Sequence, residues 1–259
     1  MKYALGIEYS GTAYCGWQRQ PHCDSIQQNV EKALGFVANH DIELTCSGRT
    51  DTGVHAVEQV AHFESDAERS DRAWLLGSNC RLPRDIRIKW ITTVDGDFHA
   101  RFDAIARSYR YIIFNTDIPS ALFHDKVCFT FRPLEHRSMH EAAQILIGEH
   151  DFSSFRAVGC QAKSPIRNLQ MIEVVRHENL IFLDIKANAF LYHMVRNIAG
   201  SLMAVGSGER DIHWFESIFR ACDRNQADVT APAAGLYFVR PWYEEKFKLP
   251  IEGKKPVLF

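Results

Sequence analysis

The sequence has no long hydrophobic run. In its 259 residues, no uninterrupted stretch of Ala, Val, Ile, Leu, Met, Phe, Trp, Tyr and Cys exceeds four residues. A membrane-spanning helix needs about 20 mostly apolar residues, and a signal peptide needs an apolar stretch of about 7 to 15. The start of the chain, Met1 to Tyr9, instead alternates as a strand does. We therefore expect a soluble, cytoplasmic protein.

The sequence also lacks an excess of charge of either sign. Its 30 Lys and Arg residues face 32 Asp and Glu residues, which gives a net charge of -2 and excludes a histone-like or tail-type binder. Any polyanion must then be held by local basic clusters. Two clusters stand out: Arg156, Lys163 and Arg167 within the acid-free stretch 152–172, and Arg81, Arg84, Arg87 and Lys89 against Asp85. They suit a phosphate backbone, or equally a solvated surface.

Several familiar site motifs are absent. The seven cysteines are odd in number and scattered, with no CxxC pair, so we expect reduced, mostly packed thiols rather than a disulfide framework or a zinc site. There is no Walker A loop and no GxSxG elbow. His136 and His140 are spaced as a helical pair but have no obvious third ligand, and we expect no metal there.

Hydrophobic periodicity predicts two mixed halves with a boundary near Ala104, namely residues 1–104 and 105–259. The first half is predicted to contain strands at 3–9, near 57–63 and at 86–94, and helices at 25–37 and 71–80. The second is predicted to contain strands at 107–114, 167–175 and 180–187, and helices at 135–147 and 190–205. Strands joined by short turns outnumber strand-helix-strand units, which favours an α+β fold with a mostly antiparallel sheet.

The most unusual local sequence is the loop from Cys46 to Ala56. It carries two glycines, three hydroxyls, Arg49 and Asp51, none of which a strand connection needs for packing. Glycines let a backbone approach a ligand, and an aspartate on a fixed loop can serve as a nucleophile or base. An ordinary tight turn with Arg49 and Asp51 paired would use the same residues.

Two other segments combine aromatic and basic residues. Strand alternation places Tyr109 and Tyr111 on one face and Arg110 on the other, which suits stacking of an unpaired base or simply a core face with solvated arginines. On the predicted helix 190–205, His193, Arg196, Asn197 and Gly200 form a polar stripe that ends in a small residue. Such a stripe is either a solvated face or a site of close contact.

Together these motifs resemble the tRNA pseudouridine synthase A family. The resemblance rests on four motifs: Gly48 to Ala56, Arg107 to Tyr111, Phe190 to Asn197 and Ala231 to Leu236. Three further motifs also match and follow the order they have in the family: Gly16-Trp17-Gln18-Arg19-Gln20, Leu82 to Ile86 and His150-Asp151-Phe152. The resemblance spans nearly the whole chain and implies two ferredoxin-like halves around a central cleft, the N-terminal half carrying the catalytic loop. It further implies a homodimer that isomerises uridines 38, 39 and 40 in the tRNA anticodon stem-loop, with neither cofactor nor metal.

The resemblance also assigns roles to individual residues. Asp51 matches the catalytic aspartate, and Arg196 the arginine that pairs with it. Tyr109 matches the tyrosine that packs on the target base, Arg49 the loop arginine implicated in extruding the nucleotide, and Leu236 a hydrophobe lining the uracil pocket. A guanidinium beside a buried carboxylate would keep the carboxylate charged and oriented.

Two other functions would use much the same residues. A non-catalytic RNA-binding module would keep the aromatics and arginines and give Asp51 no chemical role. A hydrolase of glycosidic bonds normally needs two carboxylates, one on either side of the bond, and the four motifs on which the resemblance rests contain no second acid. Product analysis and an Asp51→Asn substitution separate these alternatives.

Overall fold

The computed structural model describes residues 1–256. The strands are β1 (Lys2–Tyr9), β2 (Thr45–Cys46), β3 (His55–Glu64), β4 (Ile86–Val94), β5 (Ala106–Asn115), β6 (Cys128–Thr130), β7 (Gly148–Asp151), β8 (Ile166–His177), β9 (Leu180–Ala187) and β10 (Leu236–Trp242). The α-helices are α1 (Ile26–Ala38), α2 (Asp71–Asn79), α3 (His136–Ala143), α4 (Met194–Gly206) and α5 (Ile212–Ala221). None of the helices in these residues is long and apolar enough to cross a membrane.

The chain forms two compact units. Unit 1 combines Met1–Ala106 with the C-terminal segment that begins at Tyr237, and unit 2 is Arg107–Leu236. The C-terminal segment therefore packs with unit 1, whereas the predicted halves place it in the second half. Aromatic packing explains its position, because the rings of Tyr243 and Phe247 lie 5.4 and 5.1 Å from the ring of Phe98 in unit 1.

Unit 1 is a sheet in the order β4-β1-β3-β10, with β2 added on β3. The pairs β4-β1, β1-β3 and β2-β3 are antiparallel, and β10 runs parallel to β3. Helix α1 begins where the side chain of Ser25 accepts a hydrogen bond from the amide of Gln28, and it buries the predicted stripe that includes Ile26, Val30 and Leu34. In the core, the rings of Tyr3, Phe63 and Trp74 all contact one another, with centroids 5.2 to 5.4 Å apart.

Unit 2 is a sheet in the order β5-β9-β8-β7, all antiparallel, with β6 parallel to β5. Because neighbouring strands alternate in direction, the start of β5, the end of β9 and the start of β8 meet at one end of the sheet. In register terms, Arg107 pairs with Ala187, and Ala187 pairs with Leu169. Together with unit 1, this confirms the predicted α+β class and the mostly antiparallel pairing.

The helices of unit 2 depart from the prediction in three places. Helix α4 begins at Met194 rather than at 190, because His193 has a left-handed backbone (φ 58°) that a continuous helix cannot include. Helix α3 ends at Ala143 and continues as a 3₁₀ turn, Gln144–Leu146. Helix α5, which the prediction omitted, begins at an Asp211 cap and buries Phe215, Ile218 and Phe219 at helical spacing.

The expectation of reduced cysteines was wrong for one pair. The structure joins Cys15 and Cys23 in a disulfide, with their Cα atoms 6.1 Å apart. The intervening loop folds back on itself, since the amide of Cys15 donates to the carbonyl of Asp24 and the side-chain amide of Gln20 donates to the carbonyl of Cys15. Sequence spacing gave no sign of this reversal, which brings the two residues together.

Candidate active site

Asp51 lies on the loop that joins β2 to β3 in unit 1. The residue before it is fixed by two contacts: the Thr50 carbonyl accepts a 3.0 Å hydrogen bond from the amide of Trp17, and the Thr50 hydroxyl lies 2.7 Å from the Tyr9 hydroxyl. The carbonyl of Asp51 accepts from the amide of Val54 at 3.1 Å. Asp51 is half-buried, whereas Thr50 and Val54 on either side are buried. The loop therefore presents its carboxylate from a backbone that is held in place.

Two glycines allow residues 10–17 to lie against this loop. Gly16 has φ +89°, and a Cβ there would lie 2.5 Å from the Thr50 carbonyl oxygen. A Cβ on Gly11 would lie 2.0 Å from the carbonyl oxygen of Val54. A side chain at either position would collide with backbone, so both glycines are required for close approach. The motif Gly16-Trp17 thus buttresses the loop, a role that its sequence did not suggest.

Side chains from β3 support the base of the loop. The Ser47 hydroxyl donates to the Oε1 of the buried Gln59, and the Gln59 amide donates to the Gly48 carbonyl. At the other end, the Nδ1 of His55 accepts a 3.1 Å hydrogen bond from the amide of Gly11. His55 is buried, and its ring stacks on Tyr237 with centroids 4.7 Å apart. These contacts fix both ends of the loop.

Two further groups of this region bear on its chemistry. Arg49 is exposed, unlike its buried neighbour Thr50, so its guanidinium is accessible to a ligand from solvent. Burial raises the pKa of the Cys46 thiol to about 12, although the charge of Arg49 opposes the shift. Cys46 is therefore protonated at neutral pH and is a poor nucleophile.

Tyr109 lies in β5 of unit 2 and is half-buried. The ring of Phe190 meets it edge-to-face, with centroids 4.9 Å apart and planes at 79°. This geometry is favourable for aromatic pairs and restrains the tyrosine ring. Tyr111, on the same face of the strand, is fully buried and donates a 2.8 Å hydrogen bond to the carbonyl of Pro232.

Arg110 is not a solvated cation. Its Nε and Nη2 donate to the two carboxylate oxygens of Asp184 at 2.7 and 2.8 Å, and its guanidinium lies 4.5 Å from the centre of the Phe182 ring. Arg110 and Asp184 are both buried. The sequence suggested either a surface for stacking an unpaired base or a core face with solvated arginines. Instead Arg110 is half of a buried ion pair, because the β5-β9 register places it opposite Asp184.

Arg196 occupies the first turn of α4. Its Nε donates to the Ala231 carbonyl at 2.8 Å, and the Ala231 amide donates back to the Arg196 carbonyl at 3.1 Å. A Cβ on Gly200, one turn further, would lie 2.0 Å from the Val229 carbonyl oxygen, so the small residue there does permit the close contact that the polar stripe suggested. These contacts anchor residues 229–231 to α4.

Asn197 is a positioning residue that the sequence placed on the polar stripe. It is fully buried, and its amide donates to the Phe155 carbonyl at 2.8 Å. Its Oδ1 accepts from the Thr230 hydroxyl at 2.6 Å and from Arg224 Nη2 at 3.2 Å. The stripe is therefore not a solvated face. It holds the chain that leads to Leu236 against helix α4.

Leu236 is buried where that chain enters β10. The preceding Gly235 is packed so closely that a Cβ would lie 2.6 Å from the Ile112 carbonyl oxygen. In unit 2, the structure thus brings Tyr109 and Arg196 to the end of the sheet where β5 begins and β9 leads into α4. In unit 1 it places Arg49 and Asp51 on one supported loop. Within residues 1–256, no three His, Cys, Asp and Glu side chains gather as a potential metal site.

Comparison with known proteins gives a consistent match. The sequence model of a family described as tRNA pseudouridine synthase matches residues 6–103 and 142–244. The chain is 56% identical over 247 residues to the tRNA pseudouridine synthase A of Hydrogenovibrio crunogenus, covering 95% of this chain and 94% of that protein. It is 52% identical over 259 residues to the protein of the same name from Glaesserella parasuis, covering 100% and 99%. Among solved structures, it matches a chain of a Cbf5-Nop10-Gar1 complex at 13% identity and a TM-score of 0.35, covering 93% of this chain and 50% of that one.

Proposed function

The chain belongs to the tRNA pseudouridine synthase family, and we propose that it isomerises uridines 38, 39 and 40 of the anticodon stem-loop with Asp51 as the nucleophile. The family is one of isomerases that convert uridine in tRNA to pseudouridine. The positions and the mechanism are the parts that we propose.

The chemistry requires a group that holds one fragment while the other turns. The N-glycosidic bond breaks, uracil rotates, and its C5 atom joins ribose C1′. A carboxylate suits this task because it can form and break a covalent bond reversibly. On the loop from Ser47 to Val54, Asp51 is the one acidic residue, and its support on both sides favours a fixed direction of attack.

Arg196 is the proposed partner of Asp51. A guanidinium beside a carboxylate favours the charged form and restricts its direction. The hydrogen bond from Arg196 Nε to the Ala231 carbonyl uses one donor and fixes the plane of the guanidinium. This supports a role in which Arg196 orients an anion rather than merely attracting one.

The target nucleotide must leave the RNA stack to reach a carboxylate on a partly buried loop. Flipping a nucleotide costs a few kcal/mol, and stacking on an aromatic ring returns about 1–3 kcal/mol per base. We assign that stacking to Tyr109, whose ring is restrained by Phe190. Arg49, exposed on the Asp51 loop, is assigned to extrusion of the nucleotide, and the buried Leu236 to the lining of the uracil pocket.

The proposal includes a cytoplasmic homodimer that needs no cofactor or metal. These parts rest on the family resemblance. Light scattering should give the mass of two chains, and a mass of one chain would contradict the dimer. Turnover should survive EDTA when the tRNA is folded without divalent ions, and a loss restored only by a metal would contradict the metal-free reaction.

A single observation carries the proposal: a half-buried aspartate stands on a doubly supported loop in a chain 56% identical to a tRNA pseudouridine synthase A. The test is to incubate the protein with an unmodified tRNA that has uridine at 38, 39 and 40 and to map pseudouridine at single-nucleotide resolution. We expect modification at those positions, and none where uridine is replaced by cytidine. Modification elsewhere in the tRNA would refute the assigned positions.

A further inference from the structure

The segment from Arg156 to Arg167 in unit 2 has an unusual charge and shape. It contains three cations and no acid, and it connects the 3₁₀ turn Ser153–Phe155 to β8. Its middle is exposed, with Val158 at 93% of full exposure. We refer to residues 156–167 as the basic segment. The segment therefore presents positive charge to solvent together with the exposed side chains of Val158 and Ile166.

Arg156 shapes the basic segment into an arch. Its Nη2 donates to two carbonyls of the same segment, those of Cys160 at 2.9 Å and Ala162 at 2.8 Å. Gly159, with φ +82°, supplies the turn. One guanidinium therefore fixes the segment while keeping its positive charge beneath the arch.

The thiol of Cys160 lies inside the arch, next to hydrogen-bond donors and the Arg156 guanidinium. The amide of Tyr192 donates to its sulfur at 3.4 Å, and Arg156 lies close by. Burial acts to raise the pKa of the thiol, but the amides of Tyr192 and Ala162 and the Arg156 guanidinium together outweigh it and lower the pKa. The surroundings of Cys160 thus favour negative charge.

Arg167 adds a second, imperfectly satisfied cation. Its Nη1 donates to the carbonyls of Ser164 and Ile166, but in the part of the chain that the structure describes its buried Nε has no acceptor. Burial and repulsion from Arg156 both lower its pKa. An anion that binds between these two cations or beside them reduces the electrostatic repulsion between them.

The arch lies at the end of the unit 2 sheet that also holds Tyr109. The amide of Ala157 donates to the Tyr192 carbonyl at 3.0 Å, so the basic segment is tied to the chain that follows β9. That chain also carries Phe190, which packs on Tyr109. Tyr192 is 44% exposed, and its ring lies on His193 with centroids 3.9 Å apart. A flat aromatic surface thus borders the cationic arch.

We propose that Arg156, Lys163 and Arg167 bind backbone phosphates of the tRNA next to the target nucleotide, with Tyr192 as a stacking surface for a neighbouring unpaired base. The inference rests on the proposed function, because it takes the RNA held at Tyr109 as its ligand. Cations beside an aromatic face at a strand end are suited to single-stranded RNA, whose phosphates and bases are both accessible.

The test measures tRNA affinity against salt for Arg167→Gln and Lys163→Gln. Each lost phosphate contact should reduce the slope of log K against log salt by about 0.7 to 0.9. We expect tRNA dissociation constants to rise several-fold and KM to rise with them, while kcat at saturating tRNA stays within about twofold. Arg220→Gln, on the exposed face of α5 where it pairs with Glu216, is the matched control. Equal slopes and affinities in the variants and the control would overturn the proposal.

A second measurement uses the unaltered protein and does not depend on folding of a variant. Iodoacetamide alkylates a thiolate, forming a C–S bond and releasing iodide. Bound tRNA should slow alkylation of Cys160 at least fivefold, while the exposed Cys222 serves as the reference. Undiminished alkylation of Cys160 under saturating tRNA would overturn the proposal. Both tests measure tRNA binding. A failure of the proposed function would appear in a different experiment, as a lack of pseudouridine at positions 38–40.

Discussion

Arg196 and Ala231 hold each other through two hydrogen bonds in opposite directions, from Nε to the Ala231 carbonyl at 2.8 Å and from the Ala231 amide to the Arg196 carbonyl at 3.1 Å. The side chain and the backbone of one residue are thus anchored to the same neighbour. This leaves the guanidinium little freedom to rotate, and it joins the start of α4 to the chain that leads to Leu236.

Replacing Arg196 with lysine tests whether orientation matters beyond charge. Lysine has a single ammonium group in place of the planar guanidinium. It therefore cannot donate to the Ala231 carbonyl and at the same time present two further donors to a carboxylate. We expect pseudouridine formation to slow on the order of 100-fold, the usual cost of a misplaced catalytic group. Arg220→Lys is the control, and both variants should melt near the parent temperature. A fully active Arg196→Lys enzyme would reduce the role of Arg196 to its charge.

Gly16→Ala tests the buttress beneath the Asp51 loop. The added Cβ would lie 2.5 Å from the Thr50 carbonyl oxygen, and the backbone has φ +89°. We expect the free energy of unfolding to fall by about 1–3 kcal/mol and turnover to fall with it. Gly96→Ala is the matched control in the same unit, since nothing lies within 4 Å of its Cβ position. Urea unfolding of both variants decides the matter, and equal stabilities would contradict the close packing.

Tyr109 can be tested for stacking and for proton transfer separately. Tyr109→Ala removes a ring worth about 1–3 kcal/mol of stacking, so turnover should fall on the order of 10- to 100-fold. Tyr109→Phe keeps the ring and its edge contact with Phe190. If the phenol only stacks, Tyr109→Phe retains full turnover. A loss in Tyr109→Phe as large as that in Tyr109→Ala would instead assign a proton-transfer role to the hydroxyl.

His62 predicts a specific pH dependence of stability. Burial lowers its pKa from 6.5 to about 4, and its Nδ1 accepts from the amide of Ala100. The unfolded chain therefore binds more protons than the folded one between pH 4 and 6.5. The stabilisation is fully present above pH 6.5 and is lost as the pH falls toward 4, with a slope of at most about 1.4 kcal/mol per pH unit.

Urea midpoints measured from pH 4 to 7 check this dependence. His62→Gln can still accept the bond from Ala100 but cannot titrate, so its stability should change less with pH than that of the parent protein. His22→Gln, at an exposed position, is the control and should follow the parent. Identical pH profiles for His62→Gln and the parent would contradict the assignment.

Local patterns predicted most of the elements in this fold. The capping serine Ser25 and the apolar spacing after it placed α1 within one residue of its observed start, and alternation located β4 at residues 86–94. Such features depend on near neighbours in the chain, which the sequence displays directly. The family motifs likewise supplied the candidate residues, because each motif is a short contiguous segment that can be recognised without knowing the fold.

Features that depend on distant partners could not be predicted in this way. The sequence suggested a solvated Arg110, but the strand register places Asp184, 74 residues later, opposite it. Gly11 and Gly16 carried no visible function because their contacts are with the backbone of the Asp51 loop. Strand β10 was missed because it pairs in parallel with β3 from the far end of the chain. Each omission reflects tertiary packing rather than local preference.

The role of Asp51 is tested most directly by single-turnover release of tritium from uracil C5 in unmodified tRNA by Asp51→Asn. Asparagine has nearly the same shape but cannot act as an anionic nucleophile, so release should stop while tRNA affinity remains within a few-fold of the parent. Asp41→Asn, at an exposed position before β2, should release tritium at the parent rate. Tritium release by Asp51→Asn at the parent rate would contradict the nucleophilic role.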